Sequence, residues 1–565
     1  MPWNIDNSRK RVARIAASIP KIEISNLKRE MTLENVKLAN PKRVTGAHCY
    51  IGLASEKPLT DALGDVDDRD AAKRVARQLH LYQRAVGRTA DAFGAARIHF
   101  QGARLHSLIY RPFADHREIG ARAIGMSLAA GLVVRRALNP ALKDDPDLST
   151  AAGAAFGESL ATMSGSRGDA ELLFIGEAAN QGAKAISPAA TLRVNSELLD
   201  LLDVEDLGIS VNEQADGFHS LSMTEEALTS LVERYGVDWS LDKAAKKAEK
   251  DAEDITLDSV GISKATAEID KDRLSLANGK FNEALTTFGD LDGFTAIVEE
   301  AMGDDDRLTS LVRAFHIVRA ELRHVAIGDY GPNLRVQYQG DRIQLLRHLP
   351  HDGGVKRAEQ ALRTAAAWNS SLTLTLPDVI DIEGLAVATG IADGPTLISK
   401  LGTRGNRDVL AVGGGVRRAE RIQRNLDGGE IGIDTSTLDR LPESVQDLFE
   451  WRSGPQAHVC VDRDIADLEL AMRAESYESE EEQQVASTAT KVLVGAGAAA
   501  LLGYGAKKAM GRPNKGNAGH GGNGGGHDHG GGNGHGNGGG PGHGGGGHPG
   551  GGGGGGVVPG RRWAP

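Results

Sequence analysis

Two aspartates carry the chemistry of this chain. Asp290 stands in ALTTFGDLDGFTAIVEEA (Ala284 to Ala301), which reads as a strand running through Gly293 into a helix. Such a junction puts a carboxylate at a sheet edge beside free backbone N–H groups, and the amides of Phe294 and Thr295 would face a phosphate. Asp341 follows Gln339-Gly340 between two alternating runs, LRVQYQ and DRIQLLRHL, the pattern of a hairpin with the acid at its turn. Aspartates on neighbouring strands can share hard cations such as Mg²⁺ or Mn²⁺, the arrangement of two-metal phosphoryl transfer. Each signal alone has a plainer reading, since an aspartate in a hairpin turn is most often there for the turn itself.

The elements that must hold these groups are written twice. RIHFQGARLHSL (Arg97 to Leu108) aligns with RVQYQGDRIQLL (Arg335 to Leu346) at an offset of 238, and GSRGDAELLFIG (Gly165 to Gly176) aligns with GTRGNRDVLAVG (Gly402 to Gly413) at 237. Two matches in the same order indicate an internal duplication of a unit about 150 residues long. A tandem of this kind is a built-in pseudo-dimer, whose pocket takes different groups from each copy.

On this reading 1–42 is a basic lead, with RKRVARIAASI as a short amphipathic helix against the body, and 43–200 is the first unit. A helical connector fills 201–280, where LDKAAKKAEKDAEDI carries opposite charges at helical spacing, and the second unit is 281–435. A polar acidic extension (436–490), a short apolar segment (491–508) and a Gly/His-rich tail (509–565) follow. The tail is too poor in apolar residues to fold. The apolar stretch falls short of the ~20 residues of a spanning helix, so a weak membrane contact is the most expected of it.

Length and charge narrow the function classes. With 565 residues there is room for two or three domains, and Lys+Arg 65 against Asp+Glu 76, net −11, argues against a nucleic-acid surface. Cys49 and Cys460 cannot build a disulfide framework, which points to a reducing cytosol. The stretch MPWNIDNSRKRVARIAASIPK lacks the apolar core of a signal peptide, so a cytoplasmic location is expected.

FGDLDGFT (Phe288 to Thr295), QGD (Gln339 to Asp341) and GTRGNRDVLAVGGGVRRAERI (Gly402 to Ile422) follow in order the pattern of class III nucleotide cyclases. The resemblance covers both units. It implies two α+β, ferredoxin-like units with mainly antiparallel sheets, packed head to tail. It also implies that Asp290, Asp341 and the carbonyl of Leu291 hold two Mg²⁺ or Mn²⁺ ions. At the positions of the two aspartates the first unit has Gly52 and Ala103. At the family's Asn-x-x-x-Arg the first unit has Asn180 and Lys184, whereas the second has Arg417 and Arg421. The losses are complementary, so one complete site is expected and its pseudo-symmetric partner should be dead. Lys184 supplies a point charge where the family has a bidentate fork. Arg404 and Arg407, in the loop before the second unit's LAVGG strand, are candidates for triphosphate contacts, against the plain reading of solvent-facing charges.

The base-selecting positions of the resembled family fall on His99 and Leu173, neither the Lys and Asp of adenylate-type members nor the Glu and Cys of guanylate-type ones. Arg97, two residues before His99 and by strand alternation on the same face, adds donors. Donors suit the carbonyl oxygens of uracil or cytosine, and the chain is similar to the pyrimidine cyclases of bacterial anti-phage signalling. The resemblance implies attack of a ribose 3′-hydroxyl on the α-phosphate of UTP or CTP, with pyrophosphate leaving. The cyclic product would be read by a separate cyclic-nucleotide-binding effector. A catalytically silent cyclase-like module that binds nucleotide and a divergent adenylate cyclase are the rivals. Cyclic-dinucleotide synthesis would need a Gly-Gly-Asp/Glu-Glu/Asp-Phe signature, which is absent from the sequence.

Overall fold

Strand alternation decides the layering of the first half. In β2 (Lys42–Leu53) the odd residues Ala47, Cys49 and Ile51 are buried against the helices Arg69–Ala92 and His116–Val133. The even residues His48 and Tyr50 lie beneath the helix Glu177–Ala185 on the opposite face, as the two-residue period of a strand requires. The computed structural model describes residues 2–473 apart from 166–169, 189–190, 352, 383, 404–406 and 462. The tail and apolar-segment expectations (491–508, 509–565), part of the acidic extension, and Arg404 lie outside the described residues. Among those described, no helix is long and apolar enough to cross a membrane.

The first sheet combines β1 (Ser25–Asn26), β2, β3 (Ala96–Gln101), β4 (Arg104–Ile109), β5 (Thr150–Ser164), β6 (Glu171–Ile175), β7 (Leu192–Val194), β8 (Ile209–Glu213) and β9 (His219–Met223). Its order is β3-β4-β2-β5-β7-β9-β8, with β1 beside β2 and β6 beside β5. The second sheet repeats this with β10 (Ile262–Ser263), β11 (Gly279–Asp292), β12 (Leu334–Gln339), β13 (Arg342–Arg347), β14 (Ala386–Lys400), β15 (Val409–Gly413), β16 (Ile431–Ile433), β17 (Glu450–Arg452) and β18 (Ala457–Cys460). Its order is β12-β13-β11-β14-β16-β18-β17, with β10 beside β11 and β15 beside β14. The α+β expectation and the duplication therefore hold strand for strand. They hold atom for atom at the entry to each unit: Lys42 Nζ donates to Ser25 Oγ at 2.7 Å, and Lys280 Nζ to Ser263 Oγ at 2.8 Å.

Each sheet reaches further along the chain than the sequence reading places its unit. The first sheet takes β8 and β9 from the connector, and the second takes β17 and β18 from the acidic extension. The connector also contains the charged helix Leu241–Asp254; its Asp251 pairs with Arg84 and Arg88 of the helix Arg69–Ala92.

Reciprocal exchange fuses the two halves. Leu160, Leu173 and Ile175 of the first half sit in the second half's core, with Leu291, Phe294 and Phe315. Leu397, Leu410 and Val412 of the second half sit in the first half's core, with Cys49, Phe100 and Leu105. These are equivalent positions, as an isologous interface demands. Polar contacts repeat the exchange: Phe100 N donates to Asp408 Oδ2 at 2.7 Å, and Tyr338 N donates to Glu171 Oε2 at 3.2 Å. The lead segment adds a strap. Its helix Ile5–Ser18, capped by Asn4, buries Arg11 against Glu321 of the second half, while β1 pairs in the first sheet.

Candidate active site

The acidic half of the site is built by β11 and the hairpin β12–β13. Asp290 is two residues from the end of β11, and the chain then turns through Gly293, at φ 77, into the helix Phe294–Ala301. That backbone conformation is open to glycine and strained for other residues. The neighbouring acid Asp292 is spent on the turn, accepting from Gly293 N and Gly428 N at 2.9 and 3.0 Å. Asp290 is not so used: Oδ2 accepts from Gln423 Nε2 at 2.9 Å, and Oδ1 is buried with no partner. Asp341 follows Gly340, at φ 71, between β12 and β13, as the hairpin reading expects. Burial pushes both carboxyls above the ordinary carboxylate range, and for Asp341 the charge of Asp290 adds to it.

Two neighbouring carboxyls, one with an orphaned buried oxygen, fit a hard cation. Leu291, which would add its carbonyl, packs its side chain into the second half's core. Among the described residues no cluster of three or more His, Cys, Asp and Glu forms a metal site, so this candidate centre rests on the two aspartates and backbone oxygen. The first half cannot do the same. Where Asp290 would be, Gly52 has Arg104 packed against it, with a Cβ there only 3.5 Å from Arg104 Cβ, and Ala103 is buried.

The other half of the site rides on the helix Glu177–Ala185, which carries Asn180 and ends its last turn with exposed Lys184. The helix lies unusually close to the sheet, because a Cβ on Gly153 would come 2.3 Å from Gly182 O; Gly390 makes the same approach to Ala419 O in the second half. The helix Phe294–Ala301 of the second half packs against it, so the helix of Asn180 and Lys184 lies beside the one that follows Asp290. Tyr50 lies beneath Gly182, and burial pushes its phenol upward, with Asp341 near enough to add to the shift. Phe294 is buried with its ring 4.2 Å from that of Phe315, and Thr295 opens the helix beside it. Arg407 donates from Nε to Gly402 O at 3.2 Å.

The base edge departs from the sequence reading. Arg97 and His99 do not share a face, because the pairing of β3 with β4 slips by one residue between them, and a bulge breaks strict alternation. Arg97 turns onto the helix Arg69–Ala92, where Nε meets Asp91 at 2.9 Å and the guanidinium lies against Gly87. His99 stands edge-on to His106, with centroids 5.3 Å apart. Leu173 lies in the exchanged core, and its neighbour Phe174 is the residue that meets His48 and His106. Leu173→Ala is accordingly expected to cost about 2–5 kcal/mol of stability and to leave base preference unchanged, as read by chemical denaturation and by UTP/CTP competition.

Sequence reasoning passed over four groups here. Arg342 lies over the Phe288 ring at 4.8 Å and pairs with Glu420 at 3.3 Å, while its Nε and Nη2 are buried without partners beside the aspartates. Its position directly after Asp341, repeated by Arg104 after Ala103, was the available signal. Gln423, Tyr50 and His106 gave none, since only the folded register brings them beside the site.

The fold is that of the class III nucleotide cyclases, with the cyclase unit present twice in one chain as a tandem pseudo-heterodimer. A solved structure described as a class III adenylyl cyclase-like ATP-binding protein from Pseudomonas aeruginosa superposes with a TM-score of 0.72 at 25% identity, covering 84% of this chain and 100% of that one. In sequence the chain is similar to the uridylate cyclase of Pseudomonas aeruginosa, 27% identical over 462 residues (79% of this chain, 88% of that protein). It is 26% identical over 496 residues to the uridylate cyclase of a Rhizobium species, covering 80% of this chain and 92% of that protein. No protein-family model matches the chain.

Proposed function

We propose that this protein is a metal-dependent pyrimidine nucleotide cyclase that converts UTP, or less readily CTP, to the 3′,5′-cyclic monophosphate and pyrophosphate. The observation that carries it is the packing of the helix that follows Asp290 against the helix that carries Asn180 and Lys184, which supports a site divided between the halves: Asp290 and Asp341 from the second, Asn180 and Lys184 from the first. The names of the two sequence relatives support uracil as the base.

Asp290, Asp341 and the Leu291 carbonyl would hold Mg²⁺ or Mn²⁺, which when bound lowers the pKa of the ribose hydroxyl and neutralises phosphate charge. The side-chain amide of Asn180 orients the ribose so that its 3′-oxygen faces the α-phosphorus. That oxygen gives its proton to solvent water and bonds to phosphorus as the bond to the β-phosphate bridging oxygen breaks, and pyrophosphate carries away the electron pair. Lys184, exposed at a helix end, meets the charge that develops on the α-phosphate, and the unsatisfied donors of Arg342 serve the phosphates beside it. Fixed positioning and charge of this kind supply most of the acceleration in phosphoryl transfer. The product is then a diffusible signal for a separate cyclic-nucleotide-binding effector.

The test is incubation with Mn²⁺ and each of ATP, GTP, CTP and UTP, with products resolved by mass. Cyclic UMP as the main product is expected; much faster cyclisation of ATP would overturn the base assignment. The second reading, a nucleotide-binding module without turnover, draws on lysine standing in the arginine position and on the ATP-binding description of the structural relative. Binding of nucleotide with no product from any of the four would select it.

A further inference from the structure

Three histidines and a serine form a connected chain beside the candidate site, and neither the acidic pair nor the helix that carries Asn180 accounts for them. His48 Nδ1 lies 3.1 Å from His106 Nε2, and His48 Nε2 lies 2.9 Å from Ser159 Oγ. His106 stacks parallel to Tyr50, with centroids 4.3 Å apart and planes 6° off, and His99 stands edge-on to it. Tyr50 in turn lies beneath Gly182 of that helix and near Asp341, and His99 stands at a base-selecting position of the resembled family, so the chain ends beside the position expected for the base.

Both linked imidazoles are neutral. Burial takes His48 down to about 3 and holds His106 well below its ordinary value, so each ring has one N–H and one bare nitrogen. The direction of the protons is then a choice between two states. Ser159 Oγ also lies 3.4 Å from the carbonyl of Val44, which can only accept. With the serine proton on that carbonyl, His48 Nε2–H donates to Ser159, His48 Nδ1 accepts, and His106 Nε2–H must donate to it. The reverse order would set the serine lone pairs against the Val44 carbonyl. His106 Nδ1 is thereby a bare acceptor, and it has no hydrogen-bond partner among the described residues.

We propose that His106, held in this tautomer by His48 and Ser159, is the residue that distinguishes uracil from cytosine, by accepting the N3–H that uracil has and cytosine lacks. The inference rests on the pyrimidine cyclase reading for its ligand and adds the group that chooses between the two bases. His48 and Ser159 act through His106 as positioning residues. A cytosine N3 placed at the same point would set two lone pairs together, which a buried site resists strongly.

The experiment compares calorimetric binding of 3′-deoxy-UTP and 3′-deoxy-CTP, which cannot cyclise, to the full chain with Mn²⁺, alongside turnover of UTP and CTP. The native chain should prefer the uracil analogue. His106→Phe keeps a ring against Tyr50 and should weaken 3′-deoxy-UTP about 10-fold or more with little change for 3′-deoxy-CTP. His106→Asn, which restores an oxygen near the Nδ1 position, should recover part of the loss. Ser159→Ala frees the chain to reverse and should bring the two analogues towards parity, a readout that stands even if the phenylalanine variant fails to fold. Equal losses for both analogues in His106→Phe, an unchanged ratio in Ser159→Ala, or a native preference for the cytosine analogue would each overturn the proposal. Absence of turnover in the native chain would defeat the cyclase reading alone, because the binding ratio still decides the role of His106.

Discussion

Asp290→Ala is expected to lower cyclic-nucleotide formation by about 10²–10³-fold, the scale on which a centrally placed charge-stabilising group acts, while the fold survives. Survival of the fold follows from the electrostatics of the pair. Asp290 and Asp341 hold their protons more tightly folded than unfolded, so they favour the fold in acid, and that increment is lost as pH rises through their folded values. At neutral pH without metal the pair opposes folding, and its removal leaves the melting temperature equal or higher. Mn²⁺ should raise the melting temperature of the native chain by mass action and fail to do so in the variant. A variant that keeps full activity, or that still responds to Mn²⁺ unchanged, would remove Asp290 from the metal centre.

The largest effect on stability is expected far from the chemistry, at Arg11. Its guanidinium donates through Nε and Nη2 to both oxygens of Glu321, each at 2.6 Å, and Ser8 Oγ donates to the same carboxylate at 2.7 Å. Glu321 is fully buried. Arg11→Met strands that carboxylate without its cation, which costs about 3–5 kcal/mol. The double variant Arg11→Met with Glu321→Leu should recover most of the loss, because it removes the buried carboxylate together with its cation. Equilibrium denaturation of the native chain and both variants checks this, and a single variant as stable as the native chain would contradict it.

The duplication and the split of the site were legible because they live in aligned letters: Gly52 and Ala103 against Asp290 and Asp341, Asn180 against Arg417. Strand for strand, the two sheets follow that alignment. What escaped depends on register. The slip between Arg97 and His99 has no glycine or proline to mark it, yet it sends the two side chains to opposite faces. Leu173 reads as a base contact by position and is a core residue of the other half, since a strand that crosses into its neighbour's core looks like any apolar strand. The strands β8, β9 and β17 were hidden in short, mainly polar stretches with few buried residues, where burial contributes little pattern to read. His48 and His106 are 58 residues apart and meet only through the pairing of β2 with β4.

The strap formed by the helix Ile5–Ser18 sets a condition on timing. Its residues leave the ribosome well before their partners are made: Trp3 Nε1 donates to Ser371 Oγ, 368 positions later, and Arg11 waits 310 positions for Glu321. Until then an amphipathic helix has no surface to cover its apolar face. Contacts this distant in sequence slow folding and lengthen exposure to aggregation. The first half is similarly incomplete until Leu397, Leu410 and Val412 arrive to fill its core. The tandem arrangement therefore trades away the independence that two separate subunits would have during synthesis, and in return each half finds its partner already tethered to it.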